Sequence, residues 1–348
     1  MLSRSLLLLR PLASSAKKPS ARSFMAALCS EVGKVEVREM KAQTPHESQI
    51  LVEVESSGFN PADAQMIAGH YHIRQKLPFT PGFEIAGNVK AVGKKVSKWK
   101  EGDRVLVIRS AGNGGFAEEC IVDTQTDLII ALPYSIDYET AAAITTSYAT
   151  AYLALKKMAA DKQGSQVLVL SSRGMIAFAA IDLAQNIFKA SVFAASDDEE
   201  KLEKLRATGV QSTINYQKED LVRKMRKASF GHGVDAVVDT VGGDIFQQTL
   251  QCVRPGGNIF SLGFTSGKIP EVSLLDLHRT QASISGIWLG GRRIEEQEEV
   301  VKMLLDLFEQ NYLTCRIEAK YPLKDIQTCV DDINANKLFG KVLINPKD

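Results

Sequence analysis

A short apolar run, Val167-Leu168-Val169-Leu170, is followed by Ser171-Ser172-Arg173-Gly174-Met175-Ile176-Ala177 and then by Phe178–Phe188, whose apolar residues recur at helical spacing. Strand, tight turn and helix in that order aim free backbone N–H groups and the positive end of a helix dipole at the turn, which is chemistry for holding phosphate. Ser172-x-Gly174-x-x-Ala177 keeps the central glycine of the G-x-G-x-x-G/A pattern that seats a pyrophosphate. Taken alone, the stretch reads equally as an ordinary strand-to-helix turn. Its context is more informative, because a second β-rich run, Ser191–Ser196, ends roughly 20 residues further on, where the ribose of a dinucleotide is read.

The tip of that second run is Ser196 rather than Asp or Glu. An acidic residue there binds a ribose diol and repels a 2′-phosphate, so a hydroxyl favours NADPH if a cation stands nearby. Lys201 is the candidate cation and Tyr216 the candidate phenol donor. The run Asp197, Asp198, Glu199, Glu200 lies beside them, either as a helix N-terminus stabilised by its dipole or as a source of repulsion for the cofactor.

The elements that must position these residues alternate. After Ser191–Ser196 come a charged helix from Asp198 to about Ala207, a short strand at Ser212–Asn215 and another at Val234–Val241. Strands and helices of these lengths imply a doubly wound parallel sheet with crossover helices, a Rossmann-type α/β unit. With 348 residues, 45% of them hydrophobic, the chain can bury cores for two domains. Its 42 Lys and Arg against 41 Asp and Glu give no charge surplus for a nucleic acid or polyanionic partner. The cysteines at 29, 120, 252, 315 and 329 stand singly without a C-x-x-C, so they read as reduced thiols rather than a disulfide framework or zinc lobe.

The first thirty residues differ from the rest. Arg4, Arg10, Lys17, Lys18 and Arg22 are set among leucines and serines, and no acidic residue precedes Glu31. That composition is expected of a mitochondrial transit peptide, residues 1–24, cleaved near Arg22–Met25 for delivery to the matrix. No later stretch is long and apolar enough to span a membrane. From Val35 to about Leu132 the pattern becomes short β-runs, Ile50–Val54, Glu84–Val92, Arg104–Ile108, Phe116–Val122 and Leu128–Ala131, which predict a compact, barrel-like β domain. Between them lie irregular segments carrying polar and aromatic groups: Gly58–Asp63, Gly69-His70-Tyr71 and Leu77–Glu84.

Asn60-Pro61-Ala62-Asp63, Leu77–Glu84, Gly102-Asp103-Arg104-Val105, Thr150-Ala151-Tyr152, Asp239–Gly243, Pro255-Gly256-Gly257 and Gly340-Lys341-Val342-Leu343 occur in an order that resembles the zinc-free quinone oxidoreductase branch of the medium-chain dehydrogenase/reductases. The resemblance implies a GroES-like catalytic domain from 25–150 and 301–348 around a Rossmann NADPH-binding domain at 151–300, with cofactor and substrate in the cleft between. It places Asn60 and Thr150 at the nicotinamide, Lys201 and Tyr216 at the 2′-phosphate, and Gly263-Phe264 after the strand end that faces the nicotinamide. A homodimer through the edge strand near Ser283–Trp288 is also implied.

Zinc-dependent relatives carry a His immediately before the glutamate of the Gly82-Phe83-Glu84 block. Phe83 has no lone pair to donate, so no metal site is expected. A conjugated acceptor, a quinone or enone, then suits hydride transfer because it delocalises the developing charge itself. Tyr71, in Met66-Ile67-Ala68-Gly69-His70-Tyr71, resembles the proton-donating tyrosine of mitochondrial enoyl-thioester reductases, and reads either as that donor or as a wall stacking on the substrate. Asp63 either orients the cleft loop or caps a helix starting near Ala64. The chain departs from relatives at Ala177, where they carry Gly, and at Arg173, where they carry a small residue, so a nucleotide-binding protein without turnover stands beside the reductase readings.

Overall fold

The computed structural model describes residues 23–109, 114–158, 164–171 and 174–348. Ser172, Arg173 and residues 1–22 of the expected leader lie outside the described residues. The chain opens with a hairpin of β1 (Ser23–Glu31) and β2 (Lys34–Lys41), turned at Gly33 with φ +82°. Ser23 and Phe24 thus belong to a strand, and Phe24 is buried. A cut at Arg22 leaves β1 whole, whereas a cut after Phe24 removes a buried ring.

Next come β3 (Gln49–Phe59), α1 (Pro61–Ile67), β4 (Glu84–Val92), β5 (Arg104–Ile108), β6 (Glu119–Asp123) and β7 (Leu128–Ala131). A long helix, α2 (Tyr138–Met158), leads away from them. Asp137 starts it by accepting the Thr140 N–H at 2.7 Å, and Glu139 in the first turn and Lys156 and Lys157 in the last complement its dipole. Its alanine-rich face packs on β3 and β4 on one side and on the following helix on the other.

The nucleotide-type half then runs β8 (Gln166–Leu170), α3 (Ile176–Asn186), β9 (Ser191–Ser196), α4 (Glu199–Arg206), β10 (Ser212–Asn215), α5 (Leu221–Ala228), β11 (Val234–Asp239), α6 (Ile245–Cys252), β12 (Val253–Ser261), α7 (Leu274–Thr280) and β13 (Ser283–Gly286). Its six strands are all parallel, in the order β10-β9-β8-β11-β12-β13. Numbered from β8 this is 3-2-1-4-5-6, the Rossmann order, with the topological switch between β8 and β11. The strands are nearly continuous runs of Val, Leu, Ile and Ala, as a sheet covered on both faces requires.

The chain returns through α8 (Ile294–Glu309) to β14 (Ile317–Pro322), α9 (Ile326–Asn334) and β15 (Lys341–Asn345). β15 inserts between β14 and β3, closing a seven-stranded sheet of order β14-β15-β3-β4-β5-β7 to which β6 adds by pairing with β3. The fold is therefore a GroES-like β domain, made from both ends of the chain, plus a Rossmann domain. The expected boundaries at 150/151 and 300/301 fall inside α2 and α8, within helices rather than linkers.

Candidate active-site cleft

A cavity of about 450 Å³ opens at the switch point, lined from both domains. The Rossmann side contributes Gly174, Met175 and Ile176 after β8, Thr240 after β11, and Leu262, Gly263, Phe264 and Thr265 after β12. Gly174 has φ +81°, a conformation glycine adopts without strain, and an added Cβ would lie 3.1 Å from Pro61 Cγ. Among the described residues no side chain caps the amino end of α3, which begins two residues later, so its first N–H groups are placed to meet an anion. The Ser171 hydroxyl, buried at the end of β8, also has no partner among the described residues. These features fit a nucleotide phosphate. Met175, which the sequence reading passed over, is buried and lines the cavity, whereas Ala177 packs into the core beneath α3.

Ser196, Lys201 and Tyr216 meet at the end of β9, outside the cavity lining. Tyr216 N–H donates to Ser196 O at 3.1 Å, and Lys201, only 6% exposed, holds its ammonium 3.6 Å from Asp197 Oδ1. Burial, then the charges of Asp197 and Asp239, push the Tyr216 phenol upward, so it stays a hydrogen-bond donor. The acidic run is a helix start: Asp198 caps α4 through the Lys201 N–H at 3.1 Å, and Glu199 pairs with Arg206 at 3.0 Å.

The opposite wall is made by side chains from four separate segments. Asn60 is the N-cap of α1, so the helix starts at Pro61 rather than near Ala64, and Asp63 sits inside its first turn. That corrects the reading of Asp63 as the cap. Its carboxylate instead reaches back to accept the Asn60 N–H at 2.8 Å. The Asn60 amide donates through Nδ2 to Glu84 Oε2 at 2.9 Å and to Gly58 O at 3.3 Å. Lys341 donates to Asn60 Oδ1 at 3.0 Å and to Glu84 Oε2 at 2.6 Å, and Thr146 N–H donates to Glu84 Oε1 at 2.7 Å. Lys341 and Glu84 are 1% and 0% exposed, a fully buried ion pair whose oxygens are all satisfied. Gly58 makes room for it: a Cβ there would come within 2.8 Å of both Glu84 Oε2 and Lys341 Cε.

Lys341 and Glu84 were given no role from sequence. The available signal was a lysine opening the apolar run Val342–Ile344, where a buried charge demands a partner. Above this network α2 presents Thr146, Ser147 and Thr150, the first and last one turn apart, to the cavity, and the Thr146 hydroxyl has no hydrogen-bond partner among the described residues.

Asp63 is fully buried, and burial raises its pKa to about 8 against the pull of the Asn60 N–H, Lys341 and the Gly82 N–H. Tyr71 is half-buried. Burial raises its phenol, opposed by a hydrogen bond from Trp288, and the Asp63 charge raises it further. Its ring packs 4.3 Å from His72, whose ring meets Trp288 edge-on at 4.8 Å, so these aromatics bridge the two domains over the cavity. Phe83, Ile108, Leu128, Ile287 and Leu289 give the substrate end an apolar lining. Its guanidinium, Arg109, lies 3.0 Å from Asp127.

A catalytic zinc needs about three side-chain donors. Among the described residues no group of three His, Cys, Asp or Glu side chains could hold a metal ion, and Glu84 is engaged by Lys341. The residues present do not fit zinc. No helix among the described residues is long and apolar enough to cross a membrane.

Residues 46–134 match the alcohol dehydrogenase GroES-like domain and 176–309 the zinc-binding dehydrogenase family. The chain is 38% identical over 338 residues to a quinone oxidoreductase-like protein 2 homolog of Nematostella vectensis, covering 95% of this chain and 92% of that one. It is 33% identical over 330 residues to quinone oxidoreductase-like protein 2 of Bos taurus, covering 94% and 93%. Among solved structures, Escherichia coli quinone oxidoreductase complexed with NADPH superposes with a TM-score of 0.85 at 27% identity, covering 92% of this chain and all of that one. Fold and cleft are those of a medium-chain dehydrogenase/reductase; within that superfamily the chain belongs to the quinone oxidoreductase branch, in the family of quinone oxidoreductase-like protein 2.

Proposed function

We propose that the protein is a zinc-independent, NADPH-dependent reductase of quinones or related α,β-unsaturated carbonyls. The observation that carries this reading is the single cavity in which the phosphate-type turn at Gly174 and an apolar, aromatic-roofed pocket face each other across the domain junction. The E. coli quinone oxidoreductase of matching fold was crystallised with NADPH, which supports the cofactor. Bound there, NADPH would supply the hydride.

The protein's own groups would do the rest. Gly174 and the amino end of α3 would hold the pyrophosphate, and Ser196, Lys201 and Tyr216 the 2′-phosphate. Thr150, Gly263, Phe264 and Asn60 would flank the nicotinamide, and the apolar wall would exclude water from a flat, uncharged acceptor. The raised phenol of Tyr71 keeps its proton at neutral pH, as a donor to the reduced acceptor must. If it donates, Tyr71→Phe lowers kcat roughly 100-fold or more with little change in NADPH affinity; an unchanged kcat leaves it a wall residue.

NADPH oxidation measured against quinones, enals and enoyl thioesters tests the proposal. Turnover with quinones or enals supports it. Turnover confined to enoyl thioesters indicates an enoyl-thioester reductase, and tight binding without oxidation indicates a nucleotide-binding protein.

Two further features belong to this reading. Import into the mitochondrial matrix rests on the Arg- and Ser-rich leader, and amino-terminal sequencing of protein recovered from mitochondria checks it. A homodimer rests on β13, the last strand of its sheet, and on exposed Ile269, Leu274 and Leu275 in the segment leading to it. Light scattering after size exclusion checks that state.

A further inference from the structure

Hydrogen-bond accounting at Asn60 is unusually complete. Lysine can only donate, so the atom facing Lys341 is Oδ1; an ionised Glu84 can only accept, so the atom facing it is Nδ2. Both amide hydrogens are then spent, on Glu84 and Gly58 O, and one of the two Oδ1 lone pairs is spent on Lys341. What Asn60 retains for a ligand in the cavity it lines is one acceptor and no donor. Without the ion pair, an asparagine amide can turn over and offer either.

Resting on the nucleotide reading above, we propose that Lys341 and Glu84 are positioning residues, a buried ion pair whose work is to lock the Asn60 amide as a hydrogen-bond acceptor for the carboxamide N–H of the nicotinamide. The carboxamide is the group on the reactive ring that carries N–H donors. The three contributing positions are remote in sequence, and β15 pairs with β3 although the whole Rossmann domain lies between them in the chain. The pair therefore also ties the ring's orientation to correct docking of the chain's last strand. Gly58, which leaves room for Glu84 and Lys341, is part of the same device.

The test compares binding of NADP⁺ with that of its 3-acetylpyridine analogue, which has a methyl where the carboxamide has its amino group, by isothermal titration calorimetry. Without turnover, the readout is the ratio of the two dissociation constants. The unsubstituted protein is expected to prefer NADP⁺ about tenfold, the worth of one well-placed hydrogen bond. Lys341→Met/Glu84→Gln, which removes both charges together and avoids stranding one, brings the ratio to about one. Glu84→Gln alone keeps the preference, because Lys341 still donates to Oδ1. Asn60→Ala, which leaves the ion pair intact, also brings the ratio to about one, and it carries the prediction if the double variant does not fold. A tenfold preference that survives in Asn60→Ala or in the folded double variant overturns the proposal, as does an unsubstituted protein that binds both equally. An unsubstituted protein that binds neither overturns the nucleotide reading and this proposal with it.

Discussion

On the Rossmann side of the cleft the polar groups are backbone and small: the turn at Gly174, the N–H groups at the amino end of α3, the strand ends at Thr240 and Gly263. On the catalytic side they are buried side chains, with the Lys341–Glu84 ion pair and the Asp63 carboxyl each at most 1% exposed around the Asn60 amide. A mobile ligand with two phosphates is met well by dipoles that need no neutralising partner. A planar ring that must be held in one orientation is better met by a side chain whose own rotation is blocked. The difference teaches that the first wall works through backbone groups although its motif departs from the usual glycines, whereas the second works through side chains that hold one another in place.

Adding one methyl on each wall should break the symmetry most visibly. Gly58→Ala would put Cβ 2.2 Å from Ala142 O and into the ion pair, whereas the nearest atom to a Cβ at Gly263 is Thr240 O at 3.5 Å. Gly58→Ala is expected to lose more than about 3 kcal/mol or fail to fold. Gly263→Ala should remain within about 1 kcal/mol of the unsubstituted protein. Urea denaturation followed by circular dichroism measures both.

Lys341→Met comes next. It strands the Glu84 carboxylate in the core, and the expected loss is about 3–5 kcal/mol. Adding Glu84→Gln should recover most of it, and equal stability of single and double variants would contradict the buried-pair account.

Asp63 adds a pH dependence that the nucleotide wall does not share. Its carboxyl is held near 8 in the fold against an ordinary value of 3.8, so between these values the folded chain keeps a proton that the unfolded chain has released. Stability contributed by the neutral form is complete below about 4 and falls as pH rises toward about 8, by up to about 1.4 kcal/mol per pH unit. The charges that face this carboxyl are Lys341, which opposes the rise, and Glu84, which adds to it, and the Asp63 charge in turn raises Tyr71 and Cys329. In Asp63→Asn that slope should disappear. Denaturation midpoints of the two proteins from pH 4 to 8 provide the comparison, and parallel curves would refute the assignment.

The smallest expected effect is at the rim of the nucleotide wall. Lys201→Ala should weaken NADPH roughly tenfold or more while leaving NADH nearly unchanged. Equal losses for both cofactors would remove Lys201 from the 2′-phosphate site and leave it as the partner of Asp197.

This contrast also explains what was legible in the sequence. β8, β9, β10 and the start of β11 could be read from apolar runs and turns, because a parallel sheet buried on both faces writes itself locally. Ser196, Lys201 and Tyr216 could be grouped because strand ends line up in such a sheet. The catalytic wall could not. Gly58, Asn60, Glu84, Thr146 and Lys341 meet only through the pairing of β3 with β4 and β15 and the packing of α2, and no spacing along the chain encodes that meeting. The helix start expected near Ala64 falls one turn late for a related reason: Asn and Asp are both good helix caps, and Pro61 at the first helical position is the signal that favours Asn60.

The central claim is that one cavity receives both the nucleotide and its acceptor. A crystal structure with NADPH bound tests it most directly. The account predicts the pyrophosphate against Gly174 and the amino end of α3, and the nicotinamide between Asn60 and Phe264 with its reactive face toward Tyr71. NADPH bound elsewhere, or a cavity left empty at saturating NADPH, would contradict it.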